Sequence, residues 1–276
     1  MDWIIGLVGS FFMAGAAYKK RSLTRSGALA AFVMGTVYFG SGSLLWFGLL
    51  LTFFITSTGW SKWKKRAKSR FDTIYEKTGQ RDAHQVWANG GIGMLLCVAN
   101  ALFPHPAWVF LFVGVMATVN ADTWATEIGS LSRSQPRSVI TWRPVPAGTS
   151  GAVSALGSWA AVGGALTIGG AAVVCLYIAQ DLAFPYPYSW YLLLAIGISG
   201  AVGGVAGAFT DSLLGATWQA AYRCEKCGVA TERLQHCDQA TTLVRGFRWM
   251  TNDLVNSLSS IVGGLLAWLI GSLLLG

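Results

Sequence analysis

The sequence predicts an all-α, polytopic membrane protein: a single helical bundle of about eight spans over residues 1–276. Three observations predict it. The 276-residue chain is 53% hydrophobic and only 12% charged, with a mean hydropathy of +0.50, a composition suited to lipid rather than to a soluble domain. Its 13 Trp and 34 Gly suit membrane interfaces and closely packed spans. All 20 Lys and Arg fall in four clusters separated by long apolar stretches.

Those stretches lie near 3–17, 27–41, 43–59, 86–103, 107–124, 150–180, 190–221 and 252–275. A span needs roughly 20 apolar residues, so seven to nine spans fit, and the second and third stretches could form a re-entrant pair. The start, MDWIIGLVGS, lacks a basic leader and runs into a connection holding Lys19, Lys20, Arg21 and Arg25. It reads as a first span rather than a cleaved signal peptide. The next two stretches meet at Gly40–Gly42, where there is no Lys or Arg.

Residues 60–85 form a basic loop, with eight Lys and Arg between Lys62 and Arg81. Its core, SKWKKRAKSRFDTIYEKTGQRD (61–82), reads as an amphipathic helix on the membrane surface that favours anionic lipids. GQRDAHQVWANGG (79–91) opens the fourth span. Gln85 and Asn89 lie one turn apart there, and the Arg81 fork matches phosphate oxygens.

The fifth span ends in NADTWATEIGSLSR (120–133), after a run from Trp108 to Val119 without charge. Carboxylates at that depth are costly unless paired, hydrated or bound to a cation. Asp122 and Glu127 are five residues apart, about 140° around an ideal helix. Either the helix breaks there or the two acids have different tasks.

The next loop, 132–157, carries Arg133, Arg137, Arg143 and the run PAGTSG. Gly148, Thr149, Ser150 and Gly151 stand directly before an expected helix, where backbone N–H groups suit a phosphate. An ordinary helix cap is the plainer reading, and no Walker A pattern is present. The seventh stretch ends in FTDSLLGATWQ, where Asp211 and Ser212 echo Asp122 and Thr123 as a weak internal repeat.

Residues 222–250 form a Cys/His loop. YRCEKCGVATERLQHC places Cys224, Cys227, His236 and Cys237 at a spacing suited to a structural zinc site. A reduced thiol cluster without metal is the alternative, and a cytoplasmic loop argues against disulfides. Cys97 and Cys175 lie within spans. The last span opens with MTNDLVNSLSS, where Asp253, Asn256, Ser257 and Ser260 share one helix face and Asn252 stands a turn from Asn256. Helix–helix hydrogen bonding accounts for the Asn and Ser residues but not for Asp253.

With eight spans, all four basic clusters lie on one side, which the positive-inside rule makes cytoplasmic. The connections near Gly40–Gly42, Pro104–Pro106 and Asp181–Ser189 then face outward, as do both termini. This topology predicts a multi-pass protein of a bacterial-type inner or plasma membrane, with Asp122, Glu127, Asp211 and Asp253 gathered at the cytoplasmic face. The net charge of +8 marks loops beside membrane lipids, and nothing beyond basicity supports nucleic acid as a partner.

KKRSLTRSGALAA, GQRDAHQVWANGG, NADTWATEIGSLSR, PVPAGTSGAVSALG, FTDSLLGATWQ and TNDLVNSLSS, in this order, resemble the membrane-protein family that includes plant phytyl-phosphate kinase and animal transmembrane protein 19. The resemblance covers nearly the whole chain. The D-T-x-A…G…P-x-G-T-x-G part is also similar to the phytol and dolichol kinases, which use CTP. The resemblance implies Mg²⁺-dependent phosphoryl transfer from a nucleoside triphosphate, CTP favoured, to an isoprenyl or phytyl monophosphate. That chemistry needs a metal held by one or two carboxylates and basic groups on the phosphates. Asp122, Asp211 and Asp253, with Glu127, are the candidates for metal binding and catalysis. Lys20, Arg21, Arg81 and Arg143 are the basic candidates for phosphate. Gln85, Asn89, Asn252, Asn256 and the 148–151 run are the neutral ones.

Two other readings stay open: a transporter or translocase of a lipid phosphate, and a non-catalytic membrane scaffold with a zinc loop.

Overall fold

The computed structural model describes residues 2–64, 74, 79–179 and 189–275. Most of the expected surface helix at 61–82 lies outside these residues. The described residues contain eight α-helices: α1 (Asp2–Lys19), α2 (Arg25–Ser41), α3 (Leu44–Lys62), α4 (Ala83–Leu102), α5 (Pro106–Gly129), α6 (Ala155–Ala179), α7 (Trp190–Thr217) and α8 (Asn252–Leu275). Five of them, α3, α5, α6, α7 and α8, are long and apolar enough to cross a membrane. The chain is therefore a polytopic helical membrane protein. Of the other three, α2 has only 17 residues, and α4 opens on the polar side chains of His84, Gln85 and Asn89.

Local chemistry sets the helix starts. Thr24 caps α2 by accepting from Gly27 N at 3.1 Å, and Asp82 with Gln85 closes a capping box on α4. Pro106 stands in the first turn of α5, and Ser189 accepts from Leu192 N to cap α7.

The helix α5 is the axis of the bundle. It is buried without a break from Phe112 to Ala121, as expected of a helix that is apolar all round. Between helices in lipid there is little hydrophobic driving force, so close packing of small residues must hold them together. The sequence supplies that packing with glycine. A methyl placed on Gly204 of α7 would lie 2.5 Å from Ala117 Cβ, and one on Gly263 of α8 would lie 1.9 Å from Thr118 Oγ1. Val113 meets Gly200 and Ala117 meets Gly204, so α5 and α7 run parallel. This register brings Asp122 and Asp211 to the same level. The helix α8 runs antiparallel to both, with Gly271 against Phe110 and Gly263 against Thr118. Buried Asn120 ties two further helices to the axis: its amide donates to Gly164 O of α6 at 2.8 Å and its oxygen accepts from Thr56 of α3 at 3.0 Å.

All β structure among the described residues lies in the connections. β1 (Arg137–Ser138) pairs antiparallel with β2 (Ala152–Val153). In the last connection β3 (Ala221–Arg223) lies between β4 (Ala230–Thr231) and β7 (Thr242–Arg245), and β5 (Gln235–His236) pairs with β6 (Gln239–Ala240). The first two basic connections are joined directly: Thr24 N donates to Arg81 O and Arg81 N to Ser22 O, each at 3.0 Å.

Candidate active site

Described residues from all four basic connections meet around one polar cleft, with a volume of about 420 Å³. Arg21 and Ser22 come from the first connection and Arg81 from the second. The 148–151 turn comes from the third, and Gln219 and Glu232 come from the fourth. Asp122, Glu127, Asp211 and Asp253 reach it from the ends of α5, α7 and α8.

The helix α5 is continuous through Gly129, so the two acids of NADTWATEIGSLSR do have different surroundings. Glu127 accepts a short hydrogen bond from Ser61 of α3 and lies within electrostatic reach of Arg81. Asp122 is half-buried, accepts no hydrogen bond from the described residues, and lies close enough to Asp211 for the two charges to interact. Asp211 is anchored by α8: Ser259 Oγ donates to its Oδ2 at 3.0 Å, and the Asn256 amide, turned nitrogen-first, donates to the same oxygen at 3.0 Å. Asp211 also interacts with the charge of Glu232. Repulsion between carboxylates in a partly buried site is relieved by a bound cation or by a proton. The donors are hard oxygens, which suits Mg²⁺.

Arg81 is fixed by its backbone bonds to the first connection and by its guanidinium, 5.4 Å above the Phe53 ring. Burial lowers its pKa from the usual range while the charge of Glu127 opposes the shift, and an arginine stays protonated throughout. Gln85 gives its side-chain oxygen to the capping box, which leaves its amide nitrogen for a ligand. Asn89, Asn252 and Asn256 also line the cleft. Lys20 and Arg143, both expected on phosphate, do not line it. Both are exposed.

PAGTSG is not a helix start. Strand β2 and Ser154 intervene, and Ser154 Oγ caps α6 by accepting from Gly157 N at 3.1 Å. The run instead forms a tight turn, with Gly148 at φ 89° and Gly151 at φ 79°. A side chain on Gly151 would collide with Ala216 of α7, so the turn sits directly on that helix end. Thr149 Oγ1 is used within the turn, donating to Pro146 O at 2.7 Å. The N–H groups of Gly148, Ser150 and Gly151 have no acceptor among the described residues, and all three residues line the cleft. The backbone there can still bind an anion, but as a turn rather than as a helix end.

Sequence reasoning missed Glu232. Its Oε1 accepts from Ser150 Oγ at 2.8 Å and from Gln219 Nε2 at 2.7 Å. Arg245 completes the joint, donating from Nη2 to Gly215 O at 2.9 Å and to Ser150 O at 3.4 Å. Ser61 and Ser259 were also missed. An acid in a Cys/His loop and a serine in an apolar helix carry no sequence signal of what they touch.

The Cys/His loop is a compact unit beside this joint. Sγ of Cys224, Cys227 and Cys237 and a ring nitrogen of His236 lie within 4.8 Å of one another. His236 Nδ1 is 3.4 Å from Cys227 Sγ and 3.2 Å from Cys237 Sγ. A tetrahedral zinc with bonds of about 2.3 Å to sulfur and about 2.0 Å to nitrogen spaces its ligands about 3.5–3.8 Å apart, so this cluster could hold a metal ion. Two turns build it. Gly228, at φ 72°, closes the Cys224–Cys227 knuckle. Cys237 and Asp238, at φ 52° and 60°, form the two-residue turn between β5 and β6 that brings the adjacent His–Cys pair together. The Cys227 backbone N–H and the His236 side chain hold the Cys224 thiol down to about 6.

Known proteins are similar to this sequence over most of its length. Residues 8–264 match the family described as integral membrane protein DUF92. Protein PGR of Arabidopsis thaliana is 33% identical over 234 residues, 78% of each chain. An uncharacterized membrane protein of Methanocaldococcus jannaschii is 28% identical over 255 residues, 91% of this chain and 87% of that one. The chloroplastic protein VTE6 of Arabidopsis thaliana is 24% identical over 270 residues, 96% of this chain and 70% of that one. No solved structure matches.

Proposed function

The chain belongs to the DUF92 family of integral membrane proteins, and on that premise we propose that it is a lipid kinase. It transfers the terminal phosphoryl group of a nucleoside triphosphate, CTP favoured, to an isoprenyl or phytyl monophosphate. All eight helices cross the membrane in this reading, and the basic connections lie in the cytoplasm of a bacterial-type cell. The cleft then opens where nucleotides are. The reaction itself comes from the resemblance of the sequence motifs to the phytyl-phosphate kinase family.

One observation carries the reading: a single cleft collects carboxylates from three helices beside Arg81 and the open N–H groups of the 148–151 turn. An oxygen of the lipid monophosphate bonds to the γ-phosphorus, the bond from that phosphorus to the β–γ bridging oxygen breaks, and the nucleoside diphosphate leaves. The acceptor is already an anion and needs no strong base, so the protein's work is positioning and charge. Asp122, Asp211 and Asp253 would hold Mg²⁺, which supplies charge neutralisation on the triphosphate. The 148–151 turn binds nucleotide phosphate through its backbone, and Arg81 binds the acceptor phosphate.

A liposome assay separates this from a translocase. Protein reconstituted with phytyl monophosphate should form phytyl diphosphate when Mg²⁺ and CTP are added, and should move no lipid phosphate across the bilayer without nucleotide. Nucleotide-independent movement without diphosphate would overturn the kinase reading.

A further inference from the structure

A second, apolar cavity of about 80 Å³ lies among the first four helices, lined by Met13 and Ala14 of α1, Met34 of α2, Leu50 and Phe54 of α3, and Val86 of α4. Three of its residues, Arg81, Gln85 and Asn89, also line the polar cleft, and no other described residue lines both. The two spaces therefore meet end to end at a guanidinium and two amides.

We propose that this cavity holds the head-proximal part of the lipid's hydrocarbon chain, with the phosphate against Arg81. The proposal rests on the lipid-phosphate reading above for the class of its ligand, but not on phosphoryl transfer taking place. Two features point to an amphiphilic anion. The walls change from hydrocarbon to polar at Arg81, whose guanidinium rests on the Phe53 ring with its charge partly offset by Glu127, so a molecule apolar at one end and carrying a phosphate for that guanidinium at the other matches both ends. The packing also leaves the space where a lipid can reach it. The helix α1 packs chiefly on α2, and α3 chiefly on α5 and α6, so the cavity is the gap between α3 and the group formed by α1, α2 and α4. The outer face of α1, with Ile4, Phe11 and Phe12 exposed, belongs against bilayer chains, and Met13 and Ala14 of the same helix line the cavity.

The test measures binding rather than turnover. The full chain in nanodiscs is titrated with farnesyl and geranylgeranyl monophosphate and, separately, with Mg²⁺ and CTP. Leu50→Trp, which fills the cavity, should weaken both lipids about tenfold, as expected for losing the burial of a few methylenes, and should leave nucleotide binding unchanged. Phe54→Ala, which enlarges it, should favour the longer chain over the shorter by about threefold. Retained nucleotide binding shows that each variant is folded. If both variants bind both lipids as the native chain does, the tail site is overturned. If the lipids bind with these dependences but no diphosphate ever forms, the tail site stands and the kinase reading falls.

Discussion

Ser259 of α8 donates to Oδ2 of Asp211 on α7 at 3.0 Å, and Asn256 donates to the same oxygen. The other oxygen, Oδ1, is left without a donor among the described residues, and Asp122 is close enough to act on the charge of this carboxylate. Helix α8 thus holds Asp211 by one oxygen, and in the proposed reading the other takes Mg²⁺. Asp211→Asn keeps the shape and removes the charge. It should reduce diphosphate formation by about a hundredfold or more while the protein melts close to the native temperature. Ser259→Ala should cost about 1 kcal/mol in stability, and should lower activity far less than Asp211→Asn. Steady-state kinetics and thermal melting of the two variants check both outcomes.

The joint between the 148–151 turn and the Cys/His loop gives a second expectation. Glu232→Ala leaves Gln219, only 3% exposed, without its carboxylate, at a cost of about 1–3 kcal/mol. Because the same carboxylate holds Ser150, the variant should raise the KM for nucleotide and leave the KM for lipid unchanged. Elemental analysis should find one bound zinc in the native protein and less in Cys227→Ser, and that variant should share the nucleotide defect. A metal-free native protein with full activity would refute the expectation that a zinc-held loop supports the 148–151 turn through Glu232.

The three-helix seam predicts a steric effect with a built-in control. Gly204→Leu forces a side chain into Ala117 and should destabilise by about 1–3 kcal/mol. Gly15→Leu meets nothing within 4 Å and should be neutral or stabilising. Equal melting temperatures for the two variants in detergent would contradict the packing described for α5 and α7.

Much of the site is legible in the sequence because lipid makes charge conspicuous. Asp122, Asp211 and Asp253 stand out as acids at the ends of apolar stretches, and the pattern of four basic clusters alone points to one shared face for them. What the sequence hides are relationships across the chain. Ser259 looks like one of many helix serines, and its partner lies 48 residues away. Glu232 reads as part of a metal loop, although it reaches back 82 residues to Ser150. PAGTSG passes for a helix start because a two-residue strand pairing with Arg137 and Ser138 carries no pattern of its own. The angular argument on Asp122 and Glu127 is sound for the helix, but a wide cleft can collect side chains from either side of one.

Orientation is tested in intact cells with a membrane-impermeant maleimide. His105→Cys should be labelled from outside, because it lies in a connection without Lys or Arg. Arg143→Cys and the native chain, whose loop cysteines lie on the basic side, should not be labelled. The reverse pattern would invert the topology and separate the cleft from cytoplasmic nucleotide.

The most direct test of the central claim follows the γ-phosphorus itself. Purified protein in nanodiscs is given Mg²⁺, γ-labelled CTP or ATP, and phytyl, farnesyl or geranylgeranyl monophosphate, and the lipid fraction is resolved. Label should appear in an isoprenyl diphosphate, depend on Mg²⁺, and be absent from Asp211→Asn. No label in any lipid with either nucleotide, from protein that binds Mg²⁺ and CTP, would contradict the assignment of this cleft as a kinase site.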